Sequence, residues 1–532
     1  MTAIGAAIHQ PTGREIRLVI VASSLGTVFE WYDFFIYGTL APLIGKLFFP
    51  TTSATAGFLL ALATFGVGFA VRPLGAVVFG VLGDRVGRKY TFLVTITLMG
   101  MATAAIGLLP TYASIGVAAP LLLVLLRALQ GFALGGEYGG ASIYVAEHAP
   151  ANRRGFFTGF TQAGAPTGLF LSLLVSLGTV WIISESAWNA WGWRIPFIAS
   201  LLLLVVSVWM RLKLAESPVF KAMKAAGTTA RHPLRESFGS WPKVKRILAA
   251  LFGISAGQAV IGYTALFQAQ YFLQNALHVD AAVVRRITLI ASATAIGWFV
   301  LFAWLSDRVG RKKPIVIAYL LTLLLLFPLF HFIAAQANPV LSATMQRYPV
   351  AVTGNDCAYN PFATHGQASA CGRLMDLLTK KGIPYTTVDG DAQAAPFVTI
   401  GAEPVELSSA ATRDSQLKSA GYVLDTVVPP APRVALIILA LTLVYALAGM
   451  SYGPLAAWLV ELFPARVRYT SLSIPYHFGS GYAGGFLPFI SQYIVARTGN
   501  PFAGLWYAIS VVTLALIITI FVLPETSGKE LD

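Results

Sequence analysis

The stretch Glu30-Trp31-Tyr32-Asp33 places two carboxylates inside an otherwise apolar run that extends from about residue 18 to residue 47. Residues three positions apart lie on the same face of a helix, so Glu30 and Asp33 share a face. The run can cross a bilayer, which takes about 20 residues at 1.5 Å each. A charged side chain at bilayer depth costs roughly 2.5–3.5 kcal/mol on insertion scales. Two acids kept there predict partners, water or protons in contact with them.

The composition is that of a polytopic helical membrane protein. Of the 532 residues, 56% are hydrophobic and only 11% are charged, and the mean hydropathy is +0.70. A soluble domain carries about 25% charged residues. The net charge of +14 indicates Lys and Arg retained in cytoplasmic loops rather than a nucleic-acid partner. We therefore expect membrane lipid around the chain, with the first apolar run kept as an uncleaved anchor behind Arg14 and Arg17.

Twelve apolar runs are predicted to be transmembrane helices. They lie near residues 18–47, 57–81, 90–109, 119–146, 156–183, 194–213, 247–274, 287–305, 314–335, 433–459, 470–495 and 502–523. Base-rich turns alternate with turns that carry almost no charge, so the positive-inside rule puts both termini in the cytoplasm. We predict an N-terminal bundle at 1–213, a cytoplasmic loop at 214–246, and a C-terminal bundle at 247–335 and 433–532 that is interrupted on the outer, periplasmic side by an insertion at 336–432.

The two halves repeat each other. Residues 80–89 read Gly-Val-Leu-Gly-Asp-Arg-Val-Gly-Arg-Lys, and residues 303–312 read Ala-Trp-Leu-Ser-Asp-Arg-Val-Gly-Arg-Lys. A second pair follows the fourth and tenth runs, where Glu147, Pro150 and Arg154 match Glu461, Pro464 and Arg468. A duplicated six-span unit is a common plan of secondary transporters, whose substrate site lies between the halves at mid-membrane.

The duplicated Asp-Arg-x-Gly-Arg-Lys loop resembles the signature of the major facilitator superfamily. Other stretches resemble its metabolite:proton symporter family, which imports α-ketoglutarate, citrate, shikimate, dicarboxylates, proline and betaine: they are Glu30–Phe34, Arg72-Pro73-Leu74-Gly75, Arg127 to Gly131 with Gly135 to Gly140, and Trp191 to Phe197. The resemblance implies an all-α membrane protein of twelve transmembrane helices in two six-helix bundles. The chain departs from the pattern at Ala303, which replaces a glycine, and in the insertion.

Depth along each span predicts which buried charges meet. Counting 1.5 Å per residue puts Asp33 level with Arg127, and Arg72 level with Glu137, with Glu30 between the two pairs. Three acids against two bases leave one negative site, which suits a proton. We predict that Glu30 or Asp33 titrates and that protonation releases Arg127 toward an anionic substrate; proton-coupled sugar relatives in the superfamily carry a similar pair. The alternative is that these residues are neutralised pairs that hold three spans together.

Further candidates follow from position. We predict that Arg72, Glu137, Tyr138, Gln162, Gln258 and His477 contact substrate, although each could instead make an ordinary helix–helix hydrogen bond. Asp84, Arg88, Asp307 and Arg311 are predicted to form gating latches, or alternatively to act only as positive-inside anchors. The glycines of 131–140 favour close helix packing rather than a phosphate loop. No metal or cofactor is expected.

The insertion is predicted to be a small folded unit. Residues 369–381 fit a helix that stops at Gly382, and 349–352 and 397–400 suggest short strands. An oxidising outer compartment favours a disulfide between Cys357 and Cys371. The distance between the two in sequence argues against a catalytic thiol pair. A lid, a docking module and inert decoration are all open interpretations.

Together these features predict a monomeric transporter of the bacterial inner membrane that imports a small organic acid with protons by alternating access. The alternative within the family is an importer of zwitterionic osmolytes such as proline or betaine. A membrane sensor is disfavoured because no cytoplasmic signalling domain is present, and an enzyme because no nucleophile–base pair or metal cluster appears. Export remains open, and the substrate cannot be named from sequence.

Overall fold

The computed structural model describes residues 13–50, 54–86, 88–136, 138–212, 225–227, 232–363, 367–380, 382–391, 393–405, 410–422 and 425–531. Residues 214–224 and 228–231 of the predicted loop at 214–246 lie outside these ranges. The longer helices of the first half are Gly13–Thr39, Ala41–Phe48, Ala54–Val86, Arg88–Leu108, Ala118–Leu134, Tyr138–His148, Arg154–Gln162, Gly164–Ile182 and Arg194–Leu212. Those of the second half include Pro233–Phe238, Ala281–Val309, Lys312–Ala337, Ala431–Tyr452, Leu455–Leu462, Arg468–Phe478, Leu487–Thr498 and Leu505–Phe521.

Seven helices in the described part of the chain are long and apolar enough to cross a membrane. They are Ala54–Gly80, Ala118–His148, Ala151–Ile182, Trp241–Ala276, Ala281–Val309, Lys312–Ala337 and Ala431–Leu462. The pair Glu185–Gly192 and Arg194–Met210, bent by 63°, brings the number to eight if it is one span. Leu93–Leu108 and Leu505–Phe521 are apolar but shorter. Length and hydropathy alone therefore identify fewer spans than the twelve predicted.

Glycines let two helices of the first half touch backbone to backbone. A Cβ atom on Gly131 would overlap the carbonyl of Gly68, and one on Gly135 would overlap the carbonyl of Arg72. Helices Ala54–Val86 and Ala118–Leu134 consequently approach more closely than side chains would allow. The packing role predicted for the glycines of this stretch is confirmed at Gly131 and Gly135.

The helical stretch Trp241–Ala276 alternates between α and π turns. It starts as an α-helix at Trp241–Ala249, and its π segments are Ala250–Ala256, Thr264–Gln268 and Phe272–Ala276, separated by α segments at Gly257–Tyr263 and Ala269–Tyr271. A further π segment, Gly479–Gly485, follows Arg468–Phe478. The two irregular stretches pack on each other, since Gln258 donates to Ser480 Oγ at 3.2 Å. Isolated π turns are frequent at functional sites.

The insertion folds as a small α/β module. Its strands, Thr386–Asp389, Val350–Gly354, Phe397–Ile400 and Glu403–Pro404, lie side by side in that order, and only the first two are parallel. Helices Pro339–Arg347, Ala370–Lys380 and Ala410–Ser419 accompany the sheet. The predicted helix and the strand at 397–400 are confirmed, and the predicted first strand begins and ends one to two residues later. Gly382 has the positive φ of +67° that suits a helix stop.

A core of its own makes the module a folded unit, as predicted. Val352, Met375, Leu378, Tyr385 and Val398 are buried together, apart from the core of the long helices. Cys357 and Cys371 form the predicted disulfide, with Cα atoms 4.9 Å apart. The strand Thr386–Asp389 and the helices Pro339–Arg347 and Ala410–Ser419 had no counterpart in the sequence prediction.

Gly131→Ala is expected to lower the stability of the folded protein, because its methyl group has to push two helix backbones apart. Overpacking of this kind typically costs about 1–3 kcal/mol. The measurement is the melting temperature of the purified protein in detergent. Gly178→Ala is the matched control, since a Cβ at Gly178 meets nothing within 4 Å. Equal melting temperatures for the two variants would contradict the packing argument.

Candidate functional site

Arg72 is fully buried, and its guanidinium lies among aromatic rings. The ring centroids of Phe69, Trp31 and Tyr476 lie 5.1, 5.6 and 5.8 Å from its Cζ. Within the described residues, its Nε, Nη1 and Nη2 make no hydrogen bond of standard geometry, and the hydroxyl of Tyr476 is the polar group that interacts with the guanidinium. Aromatic faces stabilise a cation but leave its N–H groups without acceptors. The guanidinium therefore has several buried N–H groups that are available to donate hydrogen bonds.

The second half supplies further buried polar groups near Arg72. His477, adjacent to the ring of Tyr476, is fully buried and has no partner at either ring nitrogen within the described structure. The hydroxyl of Tyr263 and Oε1 of Gln258 are also buried without a partner there. Arg72 lies close enough to Tyr263 and His477 to interact electrostatically with both. Groups of both halves thus surround one buried cation.

Arg127 satisfies its charge differently. Its Nη1 donates to Gln130 Oε1 at 2.7 Å and its Nη2 to the carbonyl of Phe65 at 3.4 Å. Its Cζ lies 4.2 Å from the ring centroid of Phe34 and 4.5 Å from that of Tyr37. Gln130 sits one helical turn after Arg127, so the local geometry provides this partner.

The predicted direct pair of Asp33 with Arg127 is wrong in this conformation. Within the described part of the chain, no ion pair joins them, and Asp33 Oδ1 has no hydrogen-bond partner. Thr103 and Gln130 lie between them instead. Gln130 Nε2 donates to the hydroxyl of Thr103 at 2.7 Å, and that hydroxyl donates to the carbonyl of Met99 at 2.9 Å. Asp33 lies beside the same hydroxyl. The depth argument fixed the height of the two residues but not the direction in which each side chain points.

One hydrogen bond from the first half, followed by a second within the second half, leads from Gln162 to this region. Gln162 Nε2 donates to the carbonyl of Tyr452 at 3.2 Å. The hydroxyl of Tyr452 lies 2.8 Å from that of Tyr476, whose ring faces Arg72. Gln162 therefore meets the candidate site through two tyrosines rather than by direct contact with Arg72.

A network of buried charges joins the halves at one end of the helices, here called the charged end. Glu461 Oε1 lies 2.8 Å from Arg154 Nη1 of the first half and 3.0 Å from Arg311 Nη2. Its Oε2 accepts from Arg311 Nε at 3.2 Å and from Thr526 Oγ1 at 2.7 Å. Arg311 also pairs with Asp307 at 2.7 Å. The carboxylate of Glu461 thus holds three segments of the chain together.

The repeated motifs exchange partners across the halves. Arg154 meets Glu461, and in the reciprocal position Arg468 Nη1 lies 3.3 Å from Glu147 Oε1. Asp307 adds a third crossing, because its carboxylate accepts from the backbone N–H groups at positions 155 and 156, both at 2.7 Å. Each half therefore supplies the base of one pair and the acid of the other.

The C-terminal segment closes over this network. Glu525 accepts from the backbone N–H groups of Arg311 and Lys312 at 2.9 and 3.0 Å, at the start of helix Lys312–Ala337. Burial would raise the pKa of Glu525, but these bonds and those from Thr526 and Ser527 hold it below its ordinary value. The charge also suits the positive end of the helix dipole.

Aromatic rings join the halves at the opposite end, which carries the insertion and is here called the insertion end. Tyr263, Phe267 and Tyr271 stack in a row, with centroids 6.0 and 6.2 Å apart. Phe35 and Phe58 of the first half meet this row edge-on, at 5.3 Å from Phe267 and 5.2 Å from Tyr271. A cavity of about 310 Å³ lies between these helices and the module, lined among others by Lys46, Phe58, Tyr271, Thr379, Tyr385 and Gln492.

The structure brings together only part of the predicted site. Arg72, Gln258 and His477 lie in one buried region, whereas Glu137 and the side chains of Tyr138, Asp84 and Arg88 lie outside the described residues. Glu30 is buried. Sequence reasoning missed the rings of Trp31 and Phe69 as neighbours of Arg72. Phe69 precedes Arg72 by three positions on the same helix, so its spacing could have indicated the contact.

Comparison with known proteins identifies the family. A family model described as sugar (and other) transporter matches residues 18–252 and 424–532. The chain is 31% identical to the inner membrane metabolite transport protein YhjE of Escherichia coli, over 94% of this chain and 93% of that protein. It is 39% identical to the Escherichia coli shikimate transporter over 60% of this chain and 73% of that protein. It is 37% identical to the proline/betaine transporter of Salmonella typhimurium, over 68% of this chain and 75% of that protein.

Solved structures show the same fold. A crystal structure of a D-xylose-proton symporter covers 97% of this chain and 100% of its own with a TM-score of 0.61, at 18% identity. A partially occluded, inward-open structure of the xylose transporter XylE from Escherichia coli has a TM-score of 0.56 at 17% identity, with 97% of this chain and 99% of that chain covered. At these identities the likeness establishes the helical major facilitator fold.

Glu461→Gln is expected to open the charged end. The change leaves Arg154 and Arg311 buried without their shared anion, and breaking a buried ion pair costs roughly 3–5 kcal/mol. The measurement is the rate of maleimide labelling of a cysteine introduced by Thr158→Cys, at a fully buried position of helix Arg154–Gln162. Labelling should become at least about tenfold faster, since a factor of ten requires only about 1.4 kcal/mol.

Glu236→Gln is the control for this measurement. Glu236 pairs with Arg466 at 2.8 Å on the protein surface, and such exposed pairs contribute about 0–1 kcal/mol. Its loss should leave the labelling rate unchanged. Equal rates in the two variants would show that Glu461 does not hold the charged end closed.

Proposed function

For a chain that belongs to the sugar (and other) transporter family of the major facilitator superfamily, we propose proton-coupled import of a small organic anion by alternating access. The family makes the chain a membrane transporter rather than an enzyme. The observation that supports an anionic substrate is the guanidinium of Arg72, which is fully buried and makes no ion pair and no hydrogen bond of standard geometry within the described residues. A carboxylate is the group that best matches the planar, two-pronged donor of an arginine.

The surroundings of Arg72 suit a small carboxylic acid. His477, Tyr263 and Gln258 offer further unpaired polar atoms, which can bind hydroxyl or carboxyl oxygens, while Trp31 and Phe69 present apolar faces. A few convergent polar groups in an apolar pocket are typical of small-molecule sites. Glu137, Tyr138 and Gln162 complete the proposed site from the first half.

Proton coupling is proposed to reside in Asp33 and Glu30, with Arg127 as the responding cation. Asp33 is buried and has one oxygen without a partner in the described structure. Asp33 lies beside the hydroxyl of Thr103, which accepts from Gln130, and Gln130 in turn accepts from Arg127. A change of charge on Asp33 can therefore reorient the hydroxyl of Thr103, which now donates to the carbonyl of Met99, and through Gln130 alter the hydrogen bonds of Arg127. Protonation of Asp33 removes one negative charge from this group of side chains. Binding of a substrate anion at Arg72 then brings a negative charge back into the buried region.

The architecture we propose is the one predicted from the sequence: twelve transmembrane helices in two six-helix bundles, with domain limits at 1–213, 214–246, 247–335, 336–432 and 433–532. The charged end faces the cytoplasm with both termini, and the module faces the periplasm, in the inner membrane of a bacterium. Asp307 and Arg311, together with Asp84 and Arg88, act as gating latches at the charged end. The transporting unit is a monomer.

A zwitterionic osmolyte is the second candidate substrate. It is favoured by the similarity to the proline/betaine transporter of Salmonella typhimurium. A zwitterion also has a carboxylate for Arg72. The two candidates differ because only the zwitterion carries a positively charged group. That group would need an acid or an aromatic face close to the guanidinium of Arg72.

The substrate class can be tested by uptake into proteoliposomes with an imposed proton gradient. The panel contains labelled shikimate, dicarboxylic and tricarboxylic acids, proline and betaine, each with and without an uncoupler. We expect uncoupler-sensitive uptake of a carboxylic acid. Uptake of betaine or proline alone would favour the second candidate, and uptake that ignores the uncoupler would reject proton coupling.

Arg72→Gln is expected to abolish uptake without destabilising the protein. Within the described part of the chain Arg72 forms no ion pair, so removing its buried charge should leave the melting temperature equal or higher. Uptake should fall by about 100-fold or more, because a charge-assisted, bidentate bond to the substrate is lost. Arg194→Gln is the control: Arg194 lies over the ring of Trp193 at 4.3 Å, outside the candidate site. Uptake that survives Arg72→Gln would remove Arg72 from the site.

Asp33→Asn is expected to separate transport from the proton gradient. The amide cannot shed a proton, so gradient-driven accumulation should fall to the level of the uncoupled wild type. Exchange of labelled for unlabelled substrate across the membrane should persist. Asp280→Asn serves as the control, because Asp280 caps helix Ala281–Val309 through bonds to the backbone N–H groups of Ala282 and Val283, outside the proposed coupling site. Full accumulation in Asp33→Asn would exclude Asp33 from coupling.

A further inference from the structure

The order and direction of the strands in the module match those of a thioredoxin-like domain, although the described residues show no helix between strands Thr386–Asp389 and Phe397–Ile400. Strand Val350–Gly354, helix Ala370–Lys380 and strand Thr386–Asp389 form a parallel β-α-β unit. Strand Phe397–Ile400 then pairs antiparallel with Val350–Gly354 on its other side, Glu403–Pro404 follows at the edge, and helix Ala410–Ser419 comes last. Domains with this topology often carry a cysteine pair where the first strand passes into the first helix.

The disulfide of the module occupies this position. Cys357 follows the first strand by three residues, and Cys371 is the second residue of the helix. The two are 14 positions apart in sequence, yet their Cα atoms are 4.9 Å apart, because the intervening loop returns to the start of the helix. The long separation in sequence, which argued against a reactive thiol pair, therefore does not keep the two cysteines apart in the folded module.

The two sulfurs differ in environment. Cys371 is 1% exposed and belongs to the core of the module, whereas Cys357 is half-buried at its rim. Cys371 also lies in the first turn of its helix, where Ser369 Oγ accepts from the backbone N–H at position 372 at 2.9 Å. A helix N-terminus stabilises a thiolate. An incoming thiol can thus reach Cys357 more readily than Cys371, and the helix N-terminus offsets the cost of displacing the buried Cys371 as a thiolate.

A third element borders the pair. Pro396, which immediately precedes strand Phe397–Ile400, packs on Gly354: a Cβ added there would lie 2.6 Å from Pro396 Cβ and 3.4 Å from Cys357 Sγ. The sulfur itself lies 3.3 Å from the carbonyl oxygen of Gly354. The sulfur of the half-buried Cys357 is therefore bordered by the backbone of Gly354 and by the proline that precedes the neighbouring strand.

We propose that the module is a thiol–disulfide exchange site for a low-molecular-weight thiol, and that Cys357 and Cys371 are its reactive pair. A thiolate attacks Cys357 Sγ, forms a mixed disulfide and displaces Cys371 as a thiolate. A second thiolate attacks the sulfur of the bound thiol, giving the free disulfide and the Cys357 thiolate. Two thiols are oxidised as the protein disulfide takes up two electrons, and two protons from solution complete the dithiol.

The test uses the full-length oxidised protein in detergent with reduced glutathione as the probe. Samples are quenched with acid, and free and glutathione-bound cysteines are assigned by mass spectrometry after alkylation. We expect reduction of the disulfide without denaturant, and its re-formation with oxidised glutathione. A disulfide that is reduced only after the protein has been unfolded would overturn the proposal, since that is the behaviour of a structural staple.

Single variants distinguish the two sulfurs. With oxidised glutathione, Cys371→Ser should form the mixed disulfide at position 357 at least tenfold faster than Cys357→Ser forms it at position 371. Equal rates would contradict the assigned roles. Should either variant fail to fold, Ser369→Ala tests the same asymmetry in the intact pair: loss of the cap should slow reduction by glutathione several-fold. Ser419→Ala, at the exposed end of helix Ala410–Ser419, should not slow it, and equal rates for these two serine variants would remove the helix N-terminus from the mechanism.

Discussion

A guanidinium that is buried in a membrane interior must find acceptors for its hydrogen bonds inside the protein or on a solute. Arg127 finds them inside, at Gln130 and the carbonyl of Phe65. Arg72 is equally buried but is surrounded by ring faces, which compensate its charge and not its N–H groups. The contrast separates a cation whose two Nη groups are bonded within the protein from one that is suited to bind a ligand, and the assignment of the substrate site depends on it.

Sequence alone predicted much of the membrane part and less of its side-chain pairing. The repeated loops and the acidic residues Glu30 and Asp33 led to the family and the fold. Few folds combine acidic side chains inside an apolar helix with a duplicated, base-rich loop. The pairing of Asp33 with Arg127 was wrong, since depth along a helix leaves its rotation undetermined. A local partner one turn away, Gln130, satisfied Arg127 first, and Thr103 took the position between them.

The insertion shows a different limit of sequence reasoning. The strand Phe397–Ile400 and the helix Ala370–Lys380 carry the periodicities of half-buried elements and were predicted. The strand Thr386–Asp389 was missed because all four of its residues are exposed, so it shows no alternation of buried and exposed positions. The distance between the cysteines in sequence suggested an inert bridge, and only the returning loop places Cys357 beside the start of the helix.

The two closures between the halves differ in how they respond to strain. At the insertion end the rings of Phe35 and Phe58 lie edge-on against their partners, and such dispersion contacts weaken in small increments as surfaces slide. At the charged end, one carboxylate accepts four hydrogen bonds from three segments, so a small displacement exposes several uncompensated charges at once. We therefore expect the insertion end to open gradually and the charged end, at Glu461, to open abruptly. Separation of the ion pairs of Glu461 would then be the slower conformational step of a transport cycle.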